Sequence, residues 1–313
     1  MKKVVSIFWF PVLLSFCLGG CQSHTLYKDT QVLMGTFIEV ISPDKDAGRI
    51  VLAEFKRIED LLSKYKETSE VSQLNKLGEV KASPDTLYVI KKSKEFYGLS
   101  GGAFDITVGP LITLWGFTTK HYRVPTEYEI RKTRALVGSN KIIVDENNFK
   151  VRFSSPGMSI DLGAIGKGFA LDCALRELKK HNINSCLINA GGQIYCLGKR
   201  FGRPWRIALK DAREGEHMKI RLLENQGVST SGDYEQYFLH NGKRYSHIFD
   251  PKTGYPVDNG VVSVTVIAEN NLVADALSTT IFVMGKEKGM ALLKHFPGVQ
   301  AQVVEVKDIV KAN

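Results

Sequence analysis

Long apolar runs are scarce in this chain of 313 residues. The one that stands out, Val4 to Leu18, follows Lys2 and Lys3 and is too short to span a bilayer comfortably, which is the plan of a secretory signal peptide. Cysteine is scarce too. Of five in all, three fall in the body of the chain, Cys173, Cys186 and Cys196. An odd number argues against a disulfide framework, and no Cys/His spacing suggests zinc. Buried free thiols are therefore expected, although Cys186 and Cys196 flank what reads as a tight hairpin and could lie across from one another. There is no basic block, despite 42 Lys and Arg against 33 Asp and Glu and a formal charge of +9. The lysines are spread along the chain, which leaves nucleic acid a poor partner and suits a basic exported protein beside an anionic membrane surface. Low-complexity segments and internal repeats are absent as well. What remains, 43% hydrophobic and 24% charged, is ordinary globular composition with length enough for a large core.

The apolar run ends in "LGGC", Leu18 to Cys21. This resembles the lipobox of bacterial lipoproteins, which implies cleavage after residue 20 and a lipid on Cys21. Residues 21–30 then read as a tether and 31–313 as one domain. The only plausible internal boundary is a polar turn near 154–158, which is no linker.

Periodicity places the elements. "QVLMGTFIEVIS", 31–42, reads as a strand with Gly35 inside it. Val51, Phe55, Ile58 and Leu62 fall on one face of a helix. A polar loop follows, then a helix from Pro84 to Tyr97 closed by Gly98. Residues 99–117 read as a glycine- and aromatic-rich loop. "TEYE", 126–129, has the form of a capping box opening a third helix that ends near Gly138. "KIIVDENNFKVRFS" reads as a hairpin turning at Glu146 to Asn148. A short strand before "DLGAIGKG" leads through a glycine turn into an amphipathic helix, and further strands follow to "VQAQVVEV". Helices alternate with antiparallel-looking strands without βαβ periodicity, so the fold class is α+β, with largely antiparallel sheets packed against helices.

Several segments spend glycine and acid where a plain core would not. "DLGAIGKG", 161–168, has the ingredients of an anion cradle, with Gly163, Gly166, Gly168 and Lys167 ahead of a helix N-terminus. It matches neither standard phosphate-loop pattern, and a tight strand-to-helix turn explains it as well. In "NNLVADALSTTIFVMG", Asp275 and Thr279 are spaced i, i+4 on one face of an otherwise apolar helix. Such oxygens suit a hard cation; the alternative is local bonding to backbone. His247 in "SHIFDPKTGYP" is a candidate general base, equally at home as a structural turn residue. Phe104 and Asp105 in "GGAFD" suit an aromatic ligand or a loop plug.

The order of these blocks resembles the ApbE family, the FAD:protein FMN transferases. "MGTFIEV", "LSKYKETSEVSQLN", "GGAFDITVGPLITLWGF", "DLGAIGKGFALD", "NAGGQ", "VSTSGDYEQYF", "HIFDPKTGYPV" and "VADALSTTIFVMG" follow one another as in that family. The resemblance implies an ApbE-like (T-fold-like) architecture and magnesium-dependent (Mg2+) transfer of FMN from FAD to a Thr or Ser hydroxyl of a flavoprotein, releasing AMP. An FAD pyrophosphatase and a non-catalytic flavin-binding lipoprotein are the alternatives. It implies acceptors among flavoprotein subunits of membrane redox complexes, and an anchored, periplasmic location favouring the inner membrane. By motif position, Asp275, Thr279 and the carbonyl of Ala164 match metal ligands. Met34, Tyr65, Ala103, Phe104, Asp105, Asp161, Lys167, His247 and Ile248 match flavin-contacting positions. Two positions depart from the family pattern. Gln193 stands where an acid or asparagine is usual, and Gly166 where alanine is common.

Overall fold

A computed structural model describes residues 25–210 and 218–310. The signal segment and Cys21 lie outside the described residues. The chain opens with β1 (Tyr27–Leu33) and β2 (Thr36–Ser42), so β1 begins inside the segment read as a tether. These are two strands where the sequence suggested one. Met34 and Gly35 both take positive φ, 51° and 74°, and fold the run back on itself as a hairpin. Helix α1 (Ala47–Leu62) buries Val51, Phe55, Ile58 and Leu62, the face its periodicity marks. The loop after it contains a further helix, α2 (Glu70–Leu77), capped by Ser69 accepting from Ser72 N–H and closed by Gly78 at φ 79°.

Then come β3 (Glu79–Lys81) and α3 (Pro84–Leu99), which runs through Gly98 rather than stopping at it. Residues 99–117 are not all loop: a turn of 3₁₀ helix at Ile106–Val108 leads into α4 (Gly109–Leu114). Helix α5 (Glu127–Arg134) carries the expected capping box between Thr126 and Glu129. Strands β4 (Ile142–Asp145) and β5 (Lys150–Phe153) form the expected hairpin. Residues 158–162 form no strand before α6 (Gly166–Lys180).

Strands β6 (Cys186–Ala190), β7 (Gln193–Leu197), β8 (Trp205–Lys210), β9 (Met218–Leu223) and β10 (Gln226–Gly232) follow. After the ribbon β11 (Tyr237–His240) and β12 (Lys243–Ser246) come β13 (Val261–Ala268), α7 (Asn271–Met284), α8 (Lys286–Leu292), β14 (Gln300–Glu305) and α9 (Val306–Val310).

The main sheet has seven strands in the order β1-β2-β6-β7-β10-β13-β14, antiparallel at every pairing, and the α+β class holds. One face carries α1, α6 and α7 over the principal core, in which Phe55, Phe169, Leu277 and Phe282 are fully buried. The β8–β9 ribbon packs Trp205 and Ile207 onto Ile41, Leu187 and Ile194 of the other face. The two strand cysteines are separated by this sheet. Cys186 pairs with Leu197 and Cys196 with Leu187, one residue out of step, so they point to opposite faces and remain free thiols. A second, aromatic core gathers Trp115, Phe117, Phe238, Tyr245 and Phe249 beneath the 247–257 turn.

Candidate active site

The site forms where the N-terminus of α6 meets the middle of α7. Residues 158–162 reach it without forming a strand. A side chain does the work of one: Asn75 of α2 donates to Ile160 O (2.9 Å) and accepts from Ile160 N–H (2.7 Å), while Asp161 N–H donates to Ile106 O (2.7 Å). Asp161 then accepts from Gly163 N–H (2.8 Å) and pairs with Lys64 Nζ (2.6 Å), which lies 5.0 Å over the exposed Tyr65 ring. Burial pulls the Lys64 ammonium down, but the Asp161 carboxylate outweighs it and holds Lys64 above the ordinary lysine value. Met34, at the tip of the β1–β2 hairpin, donates its N–H to Glu59 (2.7 Å) and borders the same turn; a Cβ on Gly166 would lie 3.7 Å from its methyl.

Helix α6 takes Ile165 as its N-cap, so the Gly168 N–H is one of the first-turn amides that have no partner within the helix. It donates to Asp275 Oδ2 at 2.9 Å, and among the described residues no hydrogen bond reaches the Ala164 carbonyl. Asp275 is 5% exposed. Its other oxygen has only a long contact to Ser229 Oγ (3.4 Å), and no ion pair reaches it among the described residues. Burial pushes the Asp275 carboxyl up, opposed by the Lys167 charge and the Gly168 amide. Thr279, one turn on, meets Ser231 Oγ at 3.1 Å, and Ser278 lies 2.8 Å from the same hydroxyl.

A buried carboxylate with spare acceptor capacity, an open backbone carbonyl and a threonine hydroxyl are hard oxygen donors. They fit a small divalent cation completed by water and phosphate, as magnesium is bound. Among the described residues no group of three or more His, Cys, Asp or Glu comes together, so the donor set here is one carboxylate, a hydroxyl and a carbonyl.

His247 leaves β12 into the turn braced by the aromatic core, where Trp115 Nε1 donates to Gly254 O at 3.1 Å. Its Nδ1 lies 3.1 Å from the Gln236 carbonyl, which can only accept, so the proton sits on Nδ1 and the Nε2 lone pair is left over. Burial pushes this imidazole below its ordinary value; Lys167 adds to that and Asp161 opposes it. Lys167 also acts on Glu235, whose carboxyl is raised by desolvation, and on Asp275, which puts these four groups in one electrostatic neighbourhood.

Not every anticipated residue joins them as an open group. Ala103, Phe104 and Ile248 are buried in packing. Asp105 is occupied within its own loops: Oδ1 accepts from Thr107 N–H (2.8 Å), Thr107 Oγ1 (2.6 Å) and Ser139 Oγ (2.7 Å), and Oδ2 from Ser139 N–H (3.2 Å). Conversely, Lys64, Asn75, Ser229, Ser231 and Ser278 escaped the sequence reading. The alternation of Ser229 and Ser231 in a strand was the available signal, since it puts two hydroxyls on one face. Gln193, whose role the sequence left open, is 3% exposed and donates to Asn271 O at 3.3 Å.

Known proteins match most of the chain in sequence and fold. The model of the ApbE family matches residues 34–303. The FAD:protein FMN transferase of Haemophilus influenzae is 35% identical over 318 residues, covering 93% of this chain and 90% of that one. Its namesake in Vibrio cholerae is 36% identical over 266 residues, 82% and 77% of the two chains. Among solved structures, the ApbE protein of Thermotoga maritima superposes with a TM-score of 0.82 at 36% identity, over 90% and 94% of the two chains. With the matched region enclosing both helices of the site and the tip and second strand of the hairpin that borders it, the chain belongs to the ApbE family.

Proposed function

We propose that this protein is a flavin transferase that moves FMN from FAD onto a serine or threonine hydroxyl of a target flavoprotein and releases AMP. The observation that carries the reading is Asp275: a buried carboxylate without an ion pair among the described residues, bonded to the Gly168 amide of the glycine turn, in a chain similar over most of its length to FAD:protein FMN transferases. Asp275, Thr279 and the Ala164 carbonyl would hold magnesium. A divalent ion there supplies neutralisation of pyrophosphate charge as AMP departs.

The chain's own groups do the rest. Lys167 attracts the phosphates, Tyr65 offers an exposed ring at the rim, and Met34 borders the turn. His247 Nε2 is the acceptor for the proton of the attacking hydroxyl. That oxygen bonds to the phosphorus nearest riboflavin while the bond to the AMP oxygen breaks. Much of the rate comes from alignment of hydroxyl and phosphorus.

The sequence supports a setting for this chemistry. Cleavage before Cys21 and its lipidation would tether the enzyme at the outer face of a bacterial membrane, within reach of membrane redox flavoproteins. No helix among the described residues is long and apolar enough to cross a membrane.

The deciding experiment mixes the protein lacking its first 21 residues with FAD, magnesium and an acceptor flavoprotein domain. AMP and the intact mass of the acceptor are followed together. One FMN gained per AMP released is the expected result. AMP with free FMN and an unmodified acceptor would point to hydrolysis, and bound FAD without AMP would overturn both enzymatic readings.

A further inference from the structure

Helices α6 and α7 hold each other through two carboxylates, only one of which belongs to the site described above. Asp275 of α7 accepts from Gly168 N–H of α6 at 2.9 Å. In the opposite direction, Asp172 of α6 accepts from the start of α7: Oδ1 from Asn271 N–H (3.0 Å) and Asn271 Nδ2 (2.9 Å), Oδ2 from Leu272 N–H (2.9 Å). Gly168 and Asp172 are four residues apart on α6, and Asn271 and Asp275 four apart on α7, so each pair shares one helix face. The contacts cross, Gly168 to Asp275 and Asp172 to Asn271, which makes a reciprocal clasp. It closes on a close approach of the two helices at Gly168. A Cβ on Gly168 would lie 2.3 Å from Asn271 O and 2.8 Å from Asp275 Cβ.

The clasp does more than join two helices. The N-terminal amides of α7 are all committed: Asn271 and Leu272 to Asp172, Val273 to Asn270 Oδ1 (2.8 Å), and Ala274 to Asn270 O (3.1 Å). Gln193 of β7 holds the Asn271 carbonyl from the sheet side. Turning α7 by one residue, about 100°, would carry Asp275 away from the Gly168 amide and break the bonds to Asp172. Asp172 already accepts three hydrogen bonds from α7, so its binding capacity is spent on orientation.

We propose that Asp172 is a positioning residue for the metal site, fixing the rotation of α7 about its axis so that Asp275 and Thr279 face the Ala164 carbonyl. This rests on the reading that Asp275 holds the metal. Outer-shell partners of ligands are worth about 10- to 100-fold in metal affinity or activity.

The test compares Asp172→Asn, Asp172→Glu and Asp275→Ala in the purified full-length protein. Two readouts are taken: the magnesium concentration for half-maximal AMP release, and Mn2+ binding with FAD present but no acceptor, followed by the electron paramagnetic resonance of free Mn2+. Asp172→Asn is expected to raise both midpoints about tenfold, with kcat at saturating metal retained and Asp172→Glu closer to the parent. A lowered melting temperature with unchanged metal midpoints would make the clasp purely structural and overturn the proposal. Should Asp172→Asn fail to fold, Gln193→Met decides. A rise of about threefold, the worth of one neutral hydrogen bond, supports the proposal, and no rise overturns it. Asp275→Ala separates the two layers: if it still bound Mn2+ normally, the metal reading itself would be wrong.

Discussion

Two buried aspartates invite comparison, Asp105 in its loop and Asp275 in its helix. They are 8% and 5% exposed, both lie in blocks that match the family, and burial pushes both carboxyls above the ordinary value. In exposure, and in the direction that burial pushes them, they are alike. They differ in what their oxygens already accept. Asp105 takes four hydrogen bonds from Thr107 and Ser139 and ties together loops 34 residues apart. Asp275 has one short bond and one long one, at the glycine turn whose Ala164 carbonyl accepts no hydrogen bond among the described residues. Spare acceptor capacity next to other spare oxygens, rather than burial or a displaced pKa, separates an acid built to bind from an acid built to fasten.

The largest expected effect tests the open member of the pair. Asp275→Ala should lower magnesium-dependent AMP release on the order of 10³-fold, the several kcal/mol that metal neutralisation of a phosphoryl transfer supplies. Its melting temperature should change little, because removing an unpaired buried charge offsets the stranded Gly168 amide and the lost half of the clasp. Full activity at limiting magnesium would erase the distinction from Asp105.

His247 extends the criterion to a base. With Nδ1 committed to Gln236 and the imidazole pushed below its ordinary 6.5, the ring is neutral at pH 7 and Nε2 is open. Falling pH protonates Nε2 and removes the acceptor. kcat/KM should therefore be flat through neutrality and fall on an acid limb below pH 6.5. His247→Gln should cost about 10²-fold and abolish that limb. A limb that survives in the variant would assign it to another group.

Asp105→Ala probes the closed member. Stranding two amides and two hydroxyls should cost about 3 kcal/mol, seen as a melting temperature lower by roughly 5–10 °C. The FAD concentration for half-maximal rate should change less than about threefold, since alanine there removes no open group. A tenfold rise in that concentration with little loss of stability would break the comparison and move Asp105 to the flavin site.

How much of this was legible beforehand follows from the range of the interactions. Local signals carried well: the capping box at Thr126, the buried stripe of α1, and the i, i+4 pair in α7 are settled within a few residues. The Met34–Gly35 turn was misread because Phe37 and Ile38 resume the apolar run at once, and only the positive φ of two successive residues reverses the chain. Asn75 bonding Ile160 and Lys64 pairing with Asp161 join residues some 85 to 97 positions apart. No spacing rule reaches that far. The motif marked Asp105 and Asp275 alike, and what distinguished them was which donors the fold brought to each.

The smallest expected effect concerns two glycines in one turn. Gly168 has no room, since its missing side chain is where α6 meets α7. Gly166 is different: its φ is not in the left-handed region, and a Cβ there would meet Met34 and Leu162 at 3.7 and 3.8 Å, ordinary contact distances. Its flexibility in the unfolded chain is then a cost without a local return. Gly166→Ala should stabilise by about 0.5 kcal/mol, raising the melting temperature by roughly 1–2 °C with turnover unchanged. A loss of activity at this position, with stability gained as expected, would mean that the bare backbone of Gly166 is itself a surface for the substrate. The open region of the molecule would then extend one turn further toward Met34 than the acceptor count at Asp275 implies.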